Sequence, residues 1–323
     1  MKMVALNTGG QVSGSVAENK ESYFKRLIRF IGANKGLYLM IVPVLVYYAI
    51  FCYGPMYGVV IAFKNFRPGI GILGSPWVGF SNFVDFFTGP YFTRVFSNTL
   101  IISATSIIFG FPAPIILALL LNELRGRLFK RVVQTVTYIP HFISLVVVCG
   151  MILEFTSNTG IISYALHFFG IPMNTMLNNP NNFVPIYVIS SIWQEVGWGS
   201  IIYLAAIIGI DQQQYEAIQI DGGGRWRQLW NITIPGIMPT IIVMLILRMG
   251  NIMNVGFEKI ILLYNPAIYT TSDVISSYTY RLGLQNFEFS YSTAVGLFNS
   301  VINFAFLFLS NWISRKFNDT SLW

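Results

Sequence analysis

Four side chains able to hold a ligand fall close together at Trp193, Gln194, Glu195 and Trp198, within an otherwise apolar stretch. A second group, Arg248, Asn251 and Asn254, is spaced by threes, and Asn299 and Asn303 stand four apart, so on helices each set shares a face. Aromatic faces that stack on pyranose rings, with amide or charged groups for hydroxyls and carboxylates, are what a saccharide requires. Each group also has a plainer reading. An ionised side chain inside a membrane span costs about 2.5 to 3.5 kcal/mol and seeks a cavity or a partner, so Glu195 and Arg248 could simply neutralise one another. Asparagines also hydrogen-bond between membrane helices, for about 0.6 to 2 kcal/mol. His141, His167 and Glu154 lie far apart in sequence, and no H-E-x-x-H, G-x-S-x-G or His/Glu metal cluster occurs, so the reading is a non-catalytic chain with no metal site.

The elements that must position these groups follow from composition. The chain has 323 residues, of which 54% are hydrophobic and only 10% charged, with mean hydropathy +0.60. Soluble chains carry about 25% charged residues, so much of this apolar surface must face hydrocarbon. A bilayer core about 30 Å thick needs about 20 apolar residues at 1.5 Å rise. Six such stretches are predicted: Leu37 to Phe63, Thr99 to Leu121, Val132 to Phe155, Val184 to Ile210, Pro235 to Val255 and Ala294 to Ile313. The fold expected is an all-α integral membrane bundle. Pro43, Pro55, Pro112, Pro114 and Pro140 lie within these stretches and imply kinked helices packed around a cavity. The net charge of +7 does not indicate nucleic acid, because the basic residues sit in short clusters between the apolar runs. Cys52 and Cys149 are both within apolar runs and read as packing residues.

With the N-terminus inside, the inner segments hold fourteen Lys and Arg residues and the outer ones five, which predicts that both termini are cytoplasmic. The first span reads as an uncleaved anchor. Residues 1–36 form a separate lead, in which Tyr23 to Ile31 sets Phe24, Leu27, Ile28 and Ile31 against Lys25, Arg26 and Arg29. That pattern predicts an amphipathic helix lying along the inner leaflet, in contact with lipid, or packed on the bundle. Residues 37–323 form the transmembrane domain. Two long aromatic loops, Lys64 to Asn98 and Phe257 to Ser292, fall outside and could dock an extracytoplasmic protein.

Residues 211–235, between the fourth and fifth spans, form a cytoplasmic elbow. Asp211 with Gln214 three positions on resembles a capping box, and Gly222, Gly223 and Gly224 end the first short helix. A second short helix runs from about Arg225 until Pro235 opens the fifth span, with Trp226, Leu229, Trp230 and Thr233 at helical spacing. Two tryptophans there suit either a partner's pocket or the headgroup belt.

Glu216, Ala217 and Ile218, then Gly222, then Ile232, Ile234 and Pro235 match in spacing the signature of the inner-membrane permease subunits of binding-protein-dependent ABC importers, with Ile218 for Ala and Ile234 for Leu. Trp77 to Phe83, Phe92 to Leu100 and Pro112 to Glu123 resemble the sugar-importer branch, the maltose-type and polysaccharide-type permeases, and among them those of bacterial alginate importers. The resemblance implies a six-helix type I importer permease in the bacterial inner membrane. It implies two ATP-binding subunits that hold ATP and Mg, a second permease subunit, an extracytoplasmic solute-binding protein and a saccharide substrate, acidic if the alginate likeness holds. It further implies that the elbow couples to the ATPase, Glu216 accepting hydrogen bonds from it and Gly222 allowing close approach. Tyr215, Glu216, Ala217, Ile218, Asp221, Gly222, Trp226, Trp230, Ile232 and Pro235 are the coupling candidates. No G-x-x-x-x-G-K-[ST] phosphate loop occurs, so ATP binding falls to a partner. The competing reading is a secondary transporter driven by an ion gradient, for which Glu195 and Glu154 are the acidic candidates.

Overall fold

The structure is a computed structural model that describes residues 34–170 and 175–318. The amphipathic segment Tyr23 to Ile31 lies outside the described residues. The chain falls into two compact units, one ending at Tyr57 and the other beginning at Gly58. Among the described residues the secondary structure is helical apart from one isolated bridge between Lys64 and Trp77.

Five helices are long and apolar enough to cross a membrane: α1 (Lys35–Phe63) and, in chain order, those named below as α3, α7, α9 and α12. α2 (Ser81–Thr88) precedes α3 (Phe92–Glu123). The third predicted stretch is not one rod. It divides into α4 (Arg127–Phe142) and α5 (Leu145–Phe155), which meet at 98°. The break falls at Ile143 and Ser144, whose backbone is extended, just after a tight turn opened by Pro140, which removes a helical donor and weakens the end of α4. After α6 (Ile161–Phe168) come α7 (Pro180–Ile208), α8 (Gln212–Ile220) and α9 (Arg225–Met249). α10 (Phe257–Leu263) and α11 (Ile275–Tyr280) lead to α12 (Phe289–Asn318).

Three wide π turns, Tyr48–Tyr53, Ser106–Gly110 and Leu229–Thr233, each end two residues before a proline, namely Pro55, Pro112 and Pro235. The carbonyl four residues before each proline, the one its ring would strike, lies within the π turn. Widening the helix there relieves the clash and lets the strand of peptide groups bond one residue further along. The fifth span therefore continues unbroken from the elbow through Pro235, rather than starting there. It also stops earlier than predicted, at Met249, where Gly250 begins a run of tight turns through Asn254.

α7 is the central strut. At Gly197 a side chain would overlap the Thr137 carbonyl of α4, so α4 and α7 meet backbone to backbone. One core cluster joins α3, α5, α7 and α10 through Ile102, Val148, Phe183, Val188 and Ile260. Another, around Leu121, Leu204, Ile207 and Ile237, ties the ends of α3 and α7 to the start of α9, beside the elbow. A third, around Phe86, Val95, Ile275 and Val295, lies at the opposite end.

Candidate functional site

In the elbow, Asp211 starts α8 by accepting from the Gln213 backbone N–H at 2.9 Å, an N-cap one residue short of the predicted box partner. α8 ends in a full Schellman turn: Gly222 has φ 73°, its N–H bonds to the Gln219 carbonyl, and the Gly223 N–H bonds to the Ile218 carbonyl at 2.8 Å. A side chain at Gly223 would overlap Ile218 Cγ2, so Ile218 packs directly on that glycine. A Cβ at Gly222 would meet no atom within 4 Å among the described residues. Tyr215 closes the elbow, its hydroxyl 3.0 Å from Thr233 Oγ1 on the far arm. Arg225 lies 3.6 Å from Glu123 at the end of α3.

Ile232 is buried, while Glu216, Ala217, Asp221 and Pro235 are exposed. Ile220, Trp226 and Trp230 are 86%, 76% and 63% exposed. Large apolar side chains so uncovered on a polar loop mark a contact surface.

Between α3, α7 and α9 lies an open cavity of about 320 Å³ lined by Ser106, Tyr187, Ser191, Glu195, Trp198 and Arg248 among others. A second, of about 250 Å³, shares Ser106, Tyr187, Ser191, Glu195 and Arg248 and adds Asn251 and Asn254. The fourth-span group splits. Glu195 and Trp198 line the cavity, buried Gln194 lines a lateral recess with Lys259, and Trp193 lines none of these spaces.

Glu195 does not pair with Arg248. Its carboxylate accepts from His141 Nδ1 at 3.0 Å, and the His141 ring lies flat on Trp198 at 4.5 Å between centroids. Pro140 delivers His141 there from the bend between α4 and α5. Among the described residues Arg248 forms no ion pair, so the Glu195–Arg248 neutralisation considered from sequence is not the arrangement present.

The asparagines follow their plainer role in part. Asn254 Oδ1 accepts from Asn299 Nδ2 at 2.9 Å and from Asn303 Nδ2 at 3.1 Å, while Asn303 Oδ1 accepts the Met253 N–H at 2.8 Å. This network locks α12 to the turns after α9, and the threefold spacing of Arg248, Asn251 and Asn254 arises from those turns, not from a helix face. Asn303→Leu leaves the buried Met253 N–H without its acceptor, while Asn254 keeps Asn299, so it is expected to lower stability by about 1 to 3 kcal/mol, read as a lower melting temperature in detergent.

Sequence reading missed Lys259. It was counted with an outer loop, yet it is only 5% exposed, and its Nζ donates to Ser191 Oγ at 2.8 Å and the Tyr187 carbonyl at 3.4 Å, 5.2 Å above the Tyr187 ring. Tyr187, Ser191, Glu195 and Trp198 recur at steps of four, four and three along α7, a spacing that was available as a signal. Burial pushes the Lys259 ammonium down to about 8. An unfolded chain would hold that proton to the ordinary lysine range, so the burial cost is full below about pH 8 and is relieved as pH rises from there to about 10.5.

A helical bundle with apolar membrane-length spans, an uncovered elbow and a cavity that holds a few charged and polar groups defines a membrane transport subunit, and the chain belongs to the family of binding-protein-dependent transport system inner membrane components, whose model matches residues 110–319. It is 44% identical over 94% of its length to the polygalacturonan/rhamnogalacturonan transport system permease protein YteP of Bacillus subtilis (strain 168), covering 95% of that protein. A crystal structure of a bacterial ABC transporter involved in the import of the acidic polysaccharide alginate contains a chain that is 44% identical, with TM-score 0.85, over 91% of this chain and 99% of that one. A chain of a bacterial alginate ABC transporter in complex with an alginate pentasaccharide-bound periplasmic protein is 43% identical, with TM-score 0.86, over 92% and 100%. The resemblance read from Glu216 to Pro235 is thereby borne out, and the chain is an ABC importer permease of the sugar and polysaccharide kind.

Proposed function

We propose that this permease passes an acidic oligosaccharide, of the alginate or polygalacturonate class, through the cavity between α3, α7 and α9 by alternating access. Both termini are cytoplasmic in this reading, which puts the elbow inside the cell. There α8 and the start of α9 dock on one of two ATP-binding subunits, which hold ATP and Mg. A different permease subunit completes the path, and an extracytoplasmic binding protein delivers the cargo. Relatives named for alginate and polygalacturonan transport, one of them in complex with a loaded periplasmic protein, support this assignment.

The observation that carries the reading is Arg248, which forms no ion pair among the described residues and stands on a wall shared by two contiguous cavities, beside Trp198, Ser191 and Asn251. An intramembrane cation left unpaired is expensive and calls for an anionic ligand. Glu195 would oppose such a ligand, but its carboxylate is engaged by His141. Asn251 and Ser191 supply hydroxyl-binding groups, and the Trp198 face not covered by His141 supplies a stacking surface. The test is the selectivity of Arg248→Ala between acidic and neutral saccharides.

Lys259 adds a second, titratable cation behind Ser191. Raising pH through about 8 removes its charge, so the KM for an acidic saccharide is expected to rise severalfold between pH 7 and 9 while that for a neutral one stays flat. Lys259→Met should abolish this difference; a pH profile unchanged by that substitution would exclude the role.

A further inference from the structure

At the end of the bundle opposite the elbow, a separate cavity of about 340 Å³ is lined by Tyr91, Arg94, Tyr269, Tyr278, Arg281 and Asn286. Its position follows from chain direction. Glu123, the far end of α3, meets Arg225 of the elbow, so Tyr91 and Arg94 stand at the other end. α9 leaves the elbow and α12 returns, so the connection carrying Tyr269 to Asn286 is at that end too.

The charges do not balance. Asp273 is fully buried, and its Oδ2 accepts from Arg94 Nη2 at 2.9 Å and from Arg281 Nη2 at 2.7 Å, while Oδ1 accepts from Ser277 Oγ at 2.9 Å. One carboxylate thus serves two guanidinium groups through a single oxygen, and a net positive charge is left on the cavity wall. Arg94 Nε and Arg281 Nη1 are shielded and have no acceptor. Buried donors without partners are rare and costly, and the parts of the two guanidiniums that remain exposed, on side chains 30% and 21% accessible, suit a carboxylate in the cavity. Glu288 and Asp85 act on Tyr278 and Tyr291 from outside the cavity, and neither lines it.

The aromatic groups hold the arginines in place. Arg94 sits 4.9 Å over the Tyr91 ring, and Arg281 lies 5.0 Å over Tyr269 and 5.8 Å over Tyr278. Stacked guanidiniums keep their planes fixed and their edges directed. Tyr91 is itself about half exposed, which leaves it free to meet a ring. Asn286 is exposed and offers an amide to hydroxyls.

We infer that this cavity is an outer receiving subsite for one uronate unit of an acidic saccharide, distinct from the central cavity. The inference rests on the proposed acidic substrate. Arg94 and Ser103, the latter lining the central space, are nine residues apart on α3, or about 14 Å at 1.5 Å per residue. A chain of several uronates spans both at once, so the outer subsite holds one unit while the leading units reach Arg248.

Substitution of either arginine leaves Asp273 buried with half its support, so the test uses the exposed Asn286. Alginate oligosaccharide is titrated against the whole importer in nanodiscs without binding protein, in an Arg248→Ala background that weakens the central cavity. Asn286→Asp is expected to weaken binding about five- to tenfold and Asn286→Lys to strengthen it by a similar factor, both effects shrinking in high salt. Identical affinity in all three forms overturns the outer subsite, and the selectivity of Arg248→Ala alone then decides the central reading. An Asn286 effect with no effect of Arg248→Ala upholds the outer subsite and removes the central one. In a parallel titration with loaded binding protein, an Asn286 effect seen only there, for neutral and acidic cargo alike, overturns the inference by showing that a protein carboxylate is the occupant.

Discussion

Gly222→Leu is expected to cut ATP-driven uptake at least a hundredfold while the chain still inserts and accumulates at its normal level. Gly222 occupies the left-handed turn position, where a side chain costs about 1 to 2 kcal/mol in backbone strain, but a Cβ there has no atom of the described residues within 4 Å. The elbow tolerates that cost because Tyr215 and the Ile218–Gly223 contact still close it. On the proposed docking the large effect comes from outside, the added bulk holding the ATPase surface away; a loss of about 2.7 kcal/mol in the coupled step accounts for a hundredfold. Gly223→Val is the informative companion. There the clash is internal, with Ile218, so stability falls as well as uptake. Normal uptake by Gly222→Leu, measured with radiolabelled saccharide in cells of matched abundance, would remove the elbow from the coupling path.

The second large effect is Arg248→Ala. For an acidic saccharide, kcat/KM is expected to fall about ten- to a hundredfold, the size that a lost charge-assisted hydrogen bond of about 1.5 to 3 kcal/mol produces. A neutral saccharide of the same length should change less than about threefold. Arg248 balances no carboxylate among the described residues, so its removal strands no internal partner. Equal losses for the two cargoes would assign Arg248 to the scaffold.

What sequence could reveal divides along a physical line. Local rules carried far: the apolar stretches, the Schellman glycine at Gly222 and the elbow signature all depend on residues near one another in the chain. Pro140 was visible as a kink but not as a 98° bend, because the angle depends on α4 packing backbone to backbone on Gly197, some sixty residues away. Pro235 looked like a helix start, and a π turn absorbed it instead. Sequence leaves the partner of Glu195 open for the same reason. Two opposite charges on neighbouring spans invite a bridge, yet His141 reaches Glu195 through the bend that no spacing rule predicts. Lys259 looked like an ordinary loop cation, and only the fold brings it down beside Ser191 and Tyr187. The Asn254–Asn299–Asn303 network joins positions 45 and 49 residues apart and ties α12 to the turns after α9, although Asn254 also borders the cavity.

The central claim is that work done by a separate ATPase enters through the elbow and moves an acidic saccharide past Arg248. Its most direct measurement is uptake of alginate oligosaccharide into proteoliposomes containing this chain, its permease partner and the binding protein, with ATP-binding subunits present or omitted. Accumulation only when those subunits and Mg-ATP are supplied is the predicted result. Accumulation without them, driven by an imposed proton or sodium gradient, would contradict it.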